Sequence, residues 1–532
     1  MKREIRAIAI LLLISLILSS FAYFPEKNKF SSPSLAIDFA TSDSVYIDIA
    51  NNSAFIDYGW LGSGTEIDPF VLQYQTLGHY GDYSYLLIHS TDAHFVIRHC
   101  HLILMDFVFW SLSNGRIEDC QFTNSSVNLD ETVDCTITDN IFSNSTFNDE
   151  QIRITRSRHC EITQNSFSDG FTGILLDNSN DTIISDNRFT DFKFGGISGD
   201  LANTTLINNE LIRTGIRLEY WSTRLAQNLP TLENNTVNGK EPGIFFNLVG
   251  AYLEIEQYGQ IILGNCNDTT ISGGSFINCA TGVQIAECYN CTLDSISVSD
   301  CTWNSINIER CPNTTISDCF VINCSEIAIF LSQSPFYTID NCTLRDNLEG
   351  ILPHIYSNNG TVVRCTILGK SHVFYGNGIN LSNNSTAIGN TISENYRGIF
   401  VYGAHCLIVN NTITRNGYGI VIGDAYTGYS ENPYANRIYG NEIGWNYFGN
   451  AYDNSWLDNE WDDGISIGNC WSDYYGIGYY VISRDAVDHF PRLLPIDGIP
   501  LFYIHLGIVL ASTVAIIAIL VIVMKRRVNA PE

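Results

Sequence analysis

Aliphatic and polar residues alternate over short runs along most of this chain, and the same grouping returns at a nearly constant interval. Between residues 95 and 461 an aliphatic residue, two variable residues and then Asn or Cys recur, as in residues 137–140, 162–165 and 184–187. Most steps are about 20 to 26 residues, which is the period of a solenoid. The runs are rich in Ile, Val, Thr and Phe and are bounded by Asn, Ser, Asp and Gly, which predicts strands rather than helices.

A coil of about 22 residues has room for three short strands and three turns, so successive coils pair as parallel sheets about 4.8 Å apart. We therefore expect an all-β fold, a parallel β-helix solenoid of about 15 coils. Asn side chains at equivalent turns can hydrogen-bond along the stack, and Cys fits the same buried slot. A longer step predicts an extra coil or a side loop at residues 240–257. The predicted structural ladder consists of Cys100, Cys120, Asn140, Asn165, Asn187, Asn209, Cys319, Cys342, Cys365, Asn390, Asn411 and Asn441.

Several segments of the chain resemble NosD-like proteins, a family named for a periplasmic copper-related protein. Residues 173–187 resemble its repeats, residues 62–70 its opening coil, and residues 468–474 with 485–491 its closing segment. The resemblance implies a right-handed β-helix, but not a chemistry, since this fold carries lyases, epimerases, hydrolases and inert surface proteins. Family members often have an Asp- and Gly-rich stretch where residues 475–480 contain no acid, which argues against a calcium site. No cofactor is predicted, and calcium or copper would enter only through the resemblance.

Both ends of the chain carry apolar runs that are typical of targeting segments. A basic, apolar and then small-x-small order predicts a signal peptide, with an uncleaved anchor as the alternative. The apolar run near the C-terminus is followed by three basic residues, which predicts a transmembrane helix, with a buried helix as the alternative. The predicted order is a signal peptide at residues 1–22, a lead-in at 23–60, the β-helix at 61–475, a closing segment and stalk at 476–500, the transmembrane helix at 501–524 and a cytoplasmic tail at 525–532.

Composition narrows the classes of partner. A hydrophobic fraction of 45% excludes wholesale disorder, and a net charge of −28 argues against nucleic acid, which would need a basic face. Sixteen cysteines in an exported chain would ordinarily indicate disulfides, but their spacing follows the coil. Stacked, buried thiols are therefore expected, with some stacked disulfides as the alternative.

The candidate chemical sites are sparse. Two histidines flank Cys100 on the outer face and form an incomplete metal site, with a solvated pair as the alternative. A stripe of outward polar residues follows the Gly-Ile pairs of the repeat. The residues in it that most resemble a catalytic acid and base are one Arg and two Glu residues. Aromatic and acidic residues in the closing segment suit a cap better than a sugar site. The candidates are His99 and His101 for metal, Arg217, Glu219 and Glu309 for catalysis, and Asp177, Asn307, Tyr402 and Trp471 for ligand binding.

These observations predict a glycoprotein of the cell membrane, single-pass, with its β-helix outside the cell, which binds carbohydrates or other cell-envelope polymers in a structural or adhesive role. One alternative is a polysaccharide lyase or hydrolase that acts on acidic glycans, and a second is copper handling as in the family's namesake. The oligomeric state stays open. Asn-x-Ser/Thr sequons predict glycosylation at Asn51, Asn124, Asn144, Asn267, Asn313, Asn359 and Asn410.

Overall fold

The fold is seen in a computed structural model that describes residues 46–78, 84–144, 150–218, 229–354, 356–370, 375–423, 433–455 and 458–494. All of these residues belong to one compact unit. The predicted signal peptide, transmembrane helix and cytoplasmic tail lie outside them, as does Glu219. Within the part of the chain that is described, no helix is long and apolar enough to cross a membrane.

Short parallel strands follow one another around each coil and pair with their equivalents in the next coil, which confirms the expected parallel β-helix. Ile, Leu, Val and Phe at alternate strand positions are buried in the interior. The turns are tight because a residue with a left-handed φ precedes each ladder position, for example Asp139 (56°), Gln164 (57°) and Asp186 (57°). Asn and Asp tolerate this region better than most residues, which explains their frequency at the turns.

The first stack of coils has two sheets, which we call A and B. Sheet A has 14 strands because its two rows share the long strands Ser166–Asp177 and Arg188–Gly199. The other strands of sheet A are Tyr46–Ile49, Ser84–His89, Met105–Trp110, Ser126–Asp130, Glu150–Thr155 and Ile216–Leu218 in one row, and Thr76–Leu77, His101–Ile103, Gln121–Thr123, Ile141–Ser143, Glu210–Ile212 and Thr236–Val237 in the other. The eight strands of sheet B are Phe70–Gln73, Phe95–Arg98, Gly115–Glu118, Thr136–Thr138, Glu161–Thr163, Ile183–Ser185, Thr205–Ile207 and Thr231–Glu233.

The second stack has three sheets, C, D and E, with 10, 9 and 10 strands. Sheet C comprises Pro242–Phe246, Gln260–Gly264, Val283–Ala286, Ile306–Glu309, Ile327–Ser332, Glu349–His354, Asn377–Leu381, Arg397–Val401, Tyr418–Ile422 and Gly449–Asp453. Sheet D comprises Tyr252–Glu254, Thr270–Ser272, Thr292–Asp294, Thr315–Ser317, Thr338–Asp340, Thr361–Val363, Thr386–Ile388, Leu407–Val409 and Arg437–Tyr439. Sheet E comprises Ser275–Ile277, Ser297–Ser299, Phe320–Ile322, Thr343–Asn347, Thr366–Gly369, Thr391–Ser393, Thr412–Thr414, Glu442–Gly444, Cys470–Trp471 and Arg492–Leu493.

The coils are more numerous than the expected 15 or so, since the largest single-row sheets of the two stacks have eight and ten strands. The expected number omitted the opening coil, the coil at residues 240–257 and a closing coil, whose ladder residue Asn469 accepts from the Asn441 side-chain amide at 2.9 Å. Residues 240–257 supply the strands Pro242–Phe246 and Tyr252–Glu254, so the longer step in the sequence is an extra coil that begins the second stack. A small antiparallel pair, Tyr480–Val481 with Val487–Asp488, follows the last coils.

The two stacks do not continue one straight column, whereas the repeat by itself predicts one continuous solenoid. Six intervals of about 4.8 Å would separate the coils of Lys193 and Glu326 by about 29 Å in a straight stack. Instead, Lys193 Nζ lies 3.1 Å from a Glu326 carboxylate oxygen, and the Thr302 hydroxyl donates to the Lys193 carbonyl at 2.7 Å. The outer face of sheet C therefore packs laterally against the end of sheet A.

Side-chain amides close this junction. Gln260 accepts from the Ile216 N–H at 2.9 Å and donates to the Ile216 carbonyl, while Gln284 pairs in the same way with the N–H and the carbonyl of Leu218. Strand Ile216–Leu218 is the last of its row, so its free edge would otherwise leave unpaired backbone groups. The two glutamines take the place of the missing strand.

Inside the stacks the ladder positions lie one above another. Asn140 donates from its side-chain amide to the Asn165 side-chain oxygen at 3.0 Å, and the same contact links Asn165 to Asn187 and Asn187 to Asn209. In the second stack Cys319, Cys342 and Cys365 occupy the turn between sheet D and sheet E in three successive coils. The backbone N–H of the residue after each cysteine donates to a carbonyl of the preceding coil. All sixteen cysteines are free thiols, and all but Cys470 are buried.

Candidate functional site

The outward face of sheet C carries a connected polar group on three successive strands. Glu349 Oε1 accepts hydrogen bonds from the side-chain amides of Asn380 at 2.7 Å and of Asn377 at 3.3 Å. Asn377 also donates to the Asn380 side-chain oxygen at 2.9 Å, and Arg397 Nη1 lies 3.5 Å from the Asn377 side-chain oxygen. We call Glu349, Asn377, Asn380 and Arg397 the polar cluster.

Electrostatics within the polar cluster are governed by burial. Burial raises the pKa of Glu349, and the two amide donors and the nearby positive charge of Arg397 oppose that shift only in part. The Arg397 guanidinium lies against aromatic rings, 4.8 Å from the Phe400 centroid and 5.2 Å from the Tyr396 centroid. A carboxylate and a guanidinium are thus held on one face with their hydrogen-bonding edges fixed by neighbours.

An aromatic surface adjoins the polar cluster at the next strands of sheet C. The Tyr418 ring lies 5.8 Å from Tyr396, 5.3 Å from Phe448 and 6.5 Å from Tyr452, measured between centroids. We call these four residues the aromatic platform. Phe448 and Tyr452 are more than half exposed. Exposed aromatic rings beside polar donors and acceptors are the groups that contact sugar rings and their hydroxyls.

Two further groups lie on this face, and the first of them extends it toward the first stack. The Phe330 and His354 rings are 5.8 Å apart, and burial lowers the pKa of His354. Tyr402 donates its hydroxyl proton to the Pro353 carbonyl, and burial raises its pKa. From strand Ile327–Ser332 to strand Gly449–Asp453 the face spans five intervals of about 4.8 Å, or about 24 Å along the stack.

The residues predicted as catalytic do not belong to the polar cluster or to the aromatic platform. The Arg217 guanidinium lies 3.5 Å from the Phe194 ring centroid and 5.4 Å from that of Trp303, within the junction between the stacks. Glu309 accepts from the Asn307 side-chain amide at 3.0 Å. Arg217 and Glu309 thus occupy places that stabilise the junction and the sheet, and Glu219 lies outside the described residues.

The residues predicted to bind ligand are divided between surface and interior. Asp177 ends the long strand Ser166–Asp177 of sheet A and is half-buried, far along the chain from the polar cluster. Asn307 is buried and accepts from Asn304, while Tyr402 belongs to the sheet C face. Trp471 is fully buried, stacks on Tyr480 at 4.0 Å and donates to Asp488 at 2.9 Å, which is the geometry of a cap.

The predicted sequon asparagines lie at turns of the coils. Asn51 precedes the helix Asn52–Asp57 and accepts from the Ser53 and Ala54 N–H groups, which makes it the N-cap. Asn124, Asn144, Asn313, Asn359 and Asn410 have left-handed φ values between 49° and 60°. Asn267 forms a bridge with Val249 and with Tyr289. Glycosylation of these positions stays a prediction.

Sequence reasoning missed most of the sheet C face. It followed only the residues after each Gly of the Gly-Ile pairs, whereas Glu349, Asn377, Arg397 and Tyr418 each stand immediately before such a Gly. These four residues occupy one register column of sheet C, with Asn377 opposite Arg397 and Arg397 opposite Tyr418. Tracing that column along the repeat would have located the site.

Two family models match the chain. The model described as periplasmic copper-binding protein (NosD) matches residues 213–371 and 322–476, and the model described as right handed beta helix region matches residues 125–257. The chain is a NosD-like right-handed β-helix repeat protein. No curated protein is significantly similar to it in sequence.

The solved structures that this NosD-like protein matches are similar to it only at low identity and low TM-score. The periplasmic alginate epimerase AlgG is 11% identical, with a TM-score of 0.21, over 80% of this chain and 82% of the other. An alginate lyase, AlyF-OU02, is 10% identical (TM-score 0.23; 85% and 92%), and PfbA, a surface adhesin of Streptococcus pneumoniae, is 11% identical (TM-score 0.23; 72% and 94%). Likenesses this weak do not assign a function.

Copper, which the family description names, can be tested against the donors present. Protein copper sites use imidazole, thiolate or thioether groups, and a thiolate ligand must be deprotonated. Burial raises the pKa of Cys135 to about 12 and of Cys160 to about 11, whereas hydrogen bonds from neighbouring thiols lower the pKa of Cys266 and of Cys342. The rings of His99 and His101 have separate partners, Asp119 at 3.9 Å and Thr123 at 3.4 Å. No group of three or more His, Cys, Asp or Glu residues that could hold a metal occurs in the described ranges, so the donors there do not fit a copper site.

Proposed function

We propose that this NosD-like protein binds carbohydrate or another hydroxyl-rich polymer of the cell envelope, and that the polymer lies along the outward face of sheet C. The proposal includes the anchoring that the sequence predicts, with the β-helix held outside the cell by residues 501–524. The observation that carries it is the contact of the polar cluster with the aromatic platform through Arg397, whose guanidinium lies 5.2 Å from the Tyr396 ring.

The polar cluster supplies directional recognition. Glu349 and Asn377 offer an acceptor and a donor on adjacent strands, which suits the vicinal hydroxyl groups of a sugar, while the buried Asn380 holds Glu349 in place. Arg397 adds a fixed positive charge that would pair with a carboxylate on an acidic polymer. In a chain with a net charge of −28, such a charge on the binding face offsets part of the general repulsion of acidic ligands.

The aromatic platform supplies contact area. Tyr418, Phe448 and Tyr452 present rings of limited flexibility, so little conformational entropy is lost when a ligand packs on them. Their spacing follows the coil, and a polymer that lies along the stack can meet one ring after another. Repetition of modest contacts along one direction favours long ligands over single sugars.

Binding is best measured with the full chain in detergent against an array of neutral and uronate-containing polysaccharides, followed by titration calorimetry on each polymer that binds. Tyr452→Ala should weaken binding at least tenfold, because the variant removes a ring that is 51% exposed on the platform. Tyr289→Ala is the matched control, since Tyr289 is 50% exposed but lies off this face. Equal affinities of the two variants and the wild type would refute the placement.

A second candidate is turnover of an acidic polysaccharide, which the raised pKa of Glu349 beside Arg397 favours. The variant Glu349→Gln keeps an oxygen that Asn380 and Asn377 can donate to, but it cannot exchange a proton. If the protein is an enzyme, this variant should bind polymer and release no unsaturated or reducing ends. Absence of product from the wild type on every polymer that it binds would leave binding as the function.

A further inference from the structure

The two ends of the β-helix are finished differently. At the first end the helix Asn52–Asp57 covers the core, and its Phe55 is fully buried, 4.7 Å from the Phe70 ring and 5.4 Å from the Phe95 ring. At the other end the last rung of sheet E is Arg492–Leu493, and Leu493 stands in the core column below Ile443 and Trp471. Ile443 and Trp471 are fully buried, but Leu493 is 58% exposed. The core is therefore partly open at this end.

Apolar side chains around this open end point to solvent. Tyr475 is 92% exposed and Ile477 88%, and Tyr479 and Val481 are also largely exposed. The segment is held in place, because the Tyr474 hydroxyl donates to the Gly478 carbonyl at 2.7 Å and Tyr480–Val481 pairs with Val487–Asp488. We call Tyr475, Ile477, Tyr479, Val481 and Leu493 the end patch. A fixed group of large apolar side chains in water indicates a partner.

The segment that carries the end patch has no net formal charge. Residues 475–494 contain two arginines, Arg484 and Arg492, and two aspartates, Asp485 and Asp488, so their formal charges cancel, whereas the whole chain carries −28. Asp488 is buried, which leaves both arginines and one aspartate at the surface. Less charge is removed from water when this end meets an apolar phase than when any acidic face does.

The chain itself limits where the end patch can lie. Six residues separate Leu494 from the apolar run at residues 501–524. Seven Cα–Cα steps extend at most about 25 Å, so Leu494 stays within that distance of the start of the run. A run of this length, followed by basic residues, is expected to span the bilayer, which keeps Leu494 within about 25 Å of the lipid headgroups.

We infer that the end patch rests on the membrane–water interface at the extracellular side of the bilayer. Tyr475 and Tyr479 lie at headgroup depth, and Ile477, Val481 and Leu493 face the acyl chains. Tyrosine is favoured at that depth because its ring is apolar and its hydroxyl can stay hydrated. The contact orients the axis of the second stack roughly perpendicular to the bilayer plane. The sheet C face is then held away from the lipid. The inference depends on the anchoring half of the proposed function and not on polymer binding.

The test uses the full chain in phosphatidylcholine vesicles, with lipids brominated on the acyl chains as contact quenchers of tryptophan. Ile477→Trp and, separately, Val481→Trp add a reporter at the end patch. Ile67→Trp is the matched control, because Ile67 is 96% exposed in the opening coil at the far end. We expect brominated lipid to quench the emission that Ile477→Trp and Val481→Trp add to the wild type, and to leave the emission added by Ile67→Trp unchanged.

Flotation of the same vesicles separates the two ways of failing. If the protein floats with the vesicles and neither end-patch tryptophan is quenched, the anchor stands and the lipid contact is refuted. If the end-patch tryptophans shift to the blue without quenching, another segment or a second copy covers the patch, which also refutes the contact. If the protein does not float, both the anchor and the lipid contact fail, while polymer binding can still be measured.

Discussion

The asparagine ladder of the first stack and the cysteine column of the second stack solve one structural problem with different chemistry. Asn165 donates from its side-chain amide to the carbonyls of Ile137 at 2.9 Å and Thr163 at 2.9 Å. The Cys342 thiol reaches the corresponding carbonyls, those of Ile316 at 3.6 Å and Asp340 at 3.4 Å. The turn carbonyls are therefore the constant feature, and the side chain that meets them varies.

The difference lies in how the next coil is held. The Asn187 side-chain oxygen accepts both the backbone N–H of Asn165 at 2.9 Å and its side-chain amide at 3.0 Å. A thiol is a weak donor and a weak acceptor, so the cysteine column gains mainly from burial of sulfur. The comparison teaches that asparagine links coils by directional bonds, whereas cysteine fills the same slot by packing.

The largest effect is expected from Asn187→Ala. The buried backbone N–H of Asn165 loses its acceptor, and its side-chain amide keeps only the Ile137 and Thr163 carbonyls. The Ile162 carbonyl also loses a donor at 2.7 Å, so the free energy of unfolding should fall by about 3 kcal/mol. Denaturant titration followed by fluorescence measures it. Asn128→Ala, on the outward side of strand Ser126–Asp130, is the control and should change the free energy by less than about 0.5 kcal/mol. Equal losses in the two variants would contradict the role of the ladder.

A smaller loss is expected from Cys342→Ala in the cysteine column. The substitution leaves a small cavity and removes one weak donor, so the free energy of unfolding should fall by about 1.5 kcal/mol. The same titration measures it beside Asn187→Ala. A loss as large as that of the asparagine variant would show that the thiols bond as strongly as amides and would end the comparison.

A still smaller change is expected from Cys365→Asn, which extends the ladder by one position. Cys365 already donates its N–H to the Asn390 side-chain oxygen at 2.8 Å, and a new amide there would meet the carbonyls that its thiol now reaches. The free energy of unfolding should stay within about 1 kcal/mol of the wild type. Cys365→Asp is the contrast, since it buries a charge in the same slot and should be clearly destabilising.

The smallest effect concerns the end of the asparagine ladder in the second stack, where Asp488 accepts from the Asn469 N–H at 2.7 Å. Burial raises the pKa of Asp488 above its value in the unfolded chain, so the folded state favours the protonated form. Stability from this group is therefore complete below an unfolded pKa of about 3.9 and is lost as pH rises through the folded pKa. Hydrogen exchange of residues 469–494 should quicken over that interval beyond its intrinsic pH dependence. Asp488→Asn should remove the extra step.

Much of the interior followed from the repeat. Asn140, Asn165, Asn187 and Asn209 recur at the coil period, and the structure places them in hydrogen-bonding sequence because parallel pairing in register repeats every turn position. Cys319, Cys342 and Cys365 lie in one column for the same reason. The column that holds Glu349, Asn377 and Arg397 could be traced in the same way, but the repeat does not specify the hydrogen bonds that connect these side chains.

The sequence by itself determined the coil, its ladders and the family, because each of these depends on spacing along the chain and on the nearest neighbouring coil. Only the tertiary structure decided where the second stack lies against the first. That arrangement depends on single, non-repeating contacts such as Lys193 with Glu326 and Gln284 with Leu218. A periodic pattern specifies which residues face inward or outward, but it carries no information on which outward residues meet across a bend.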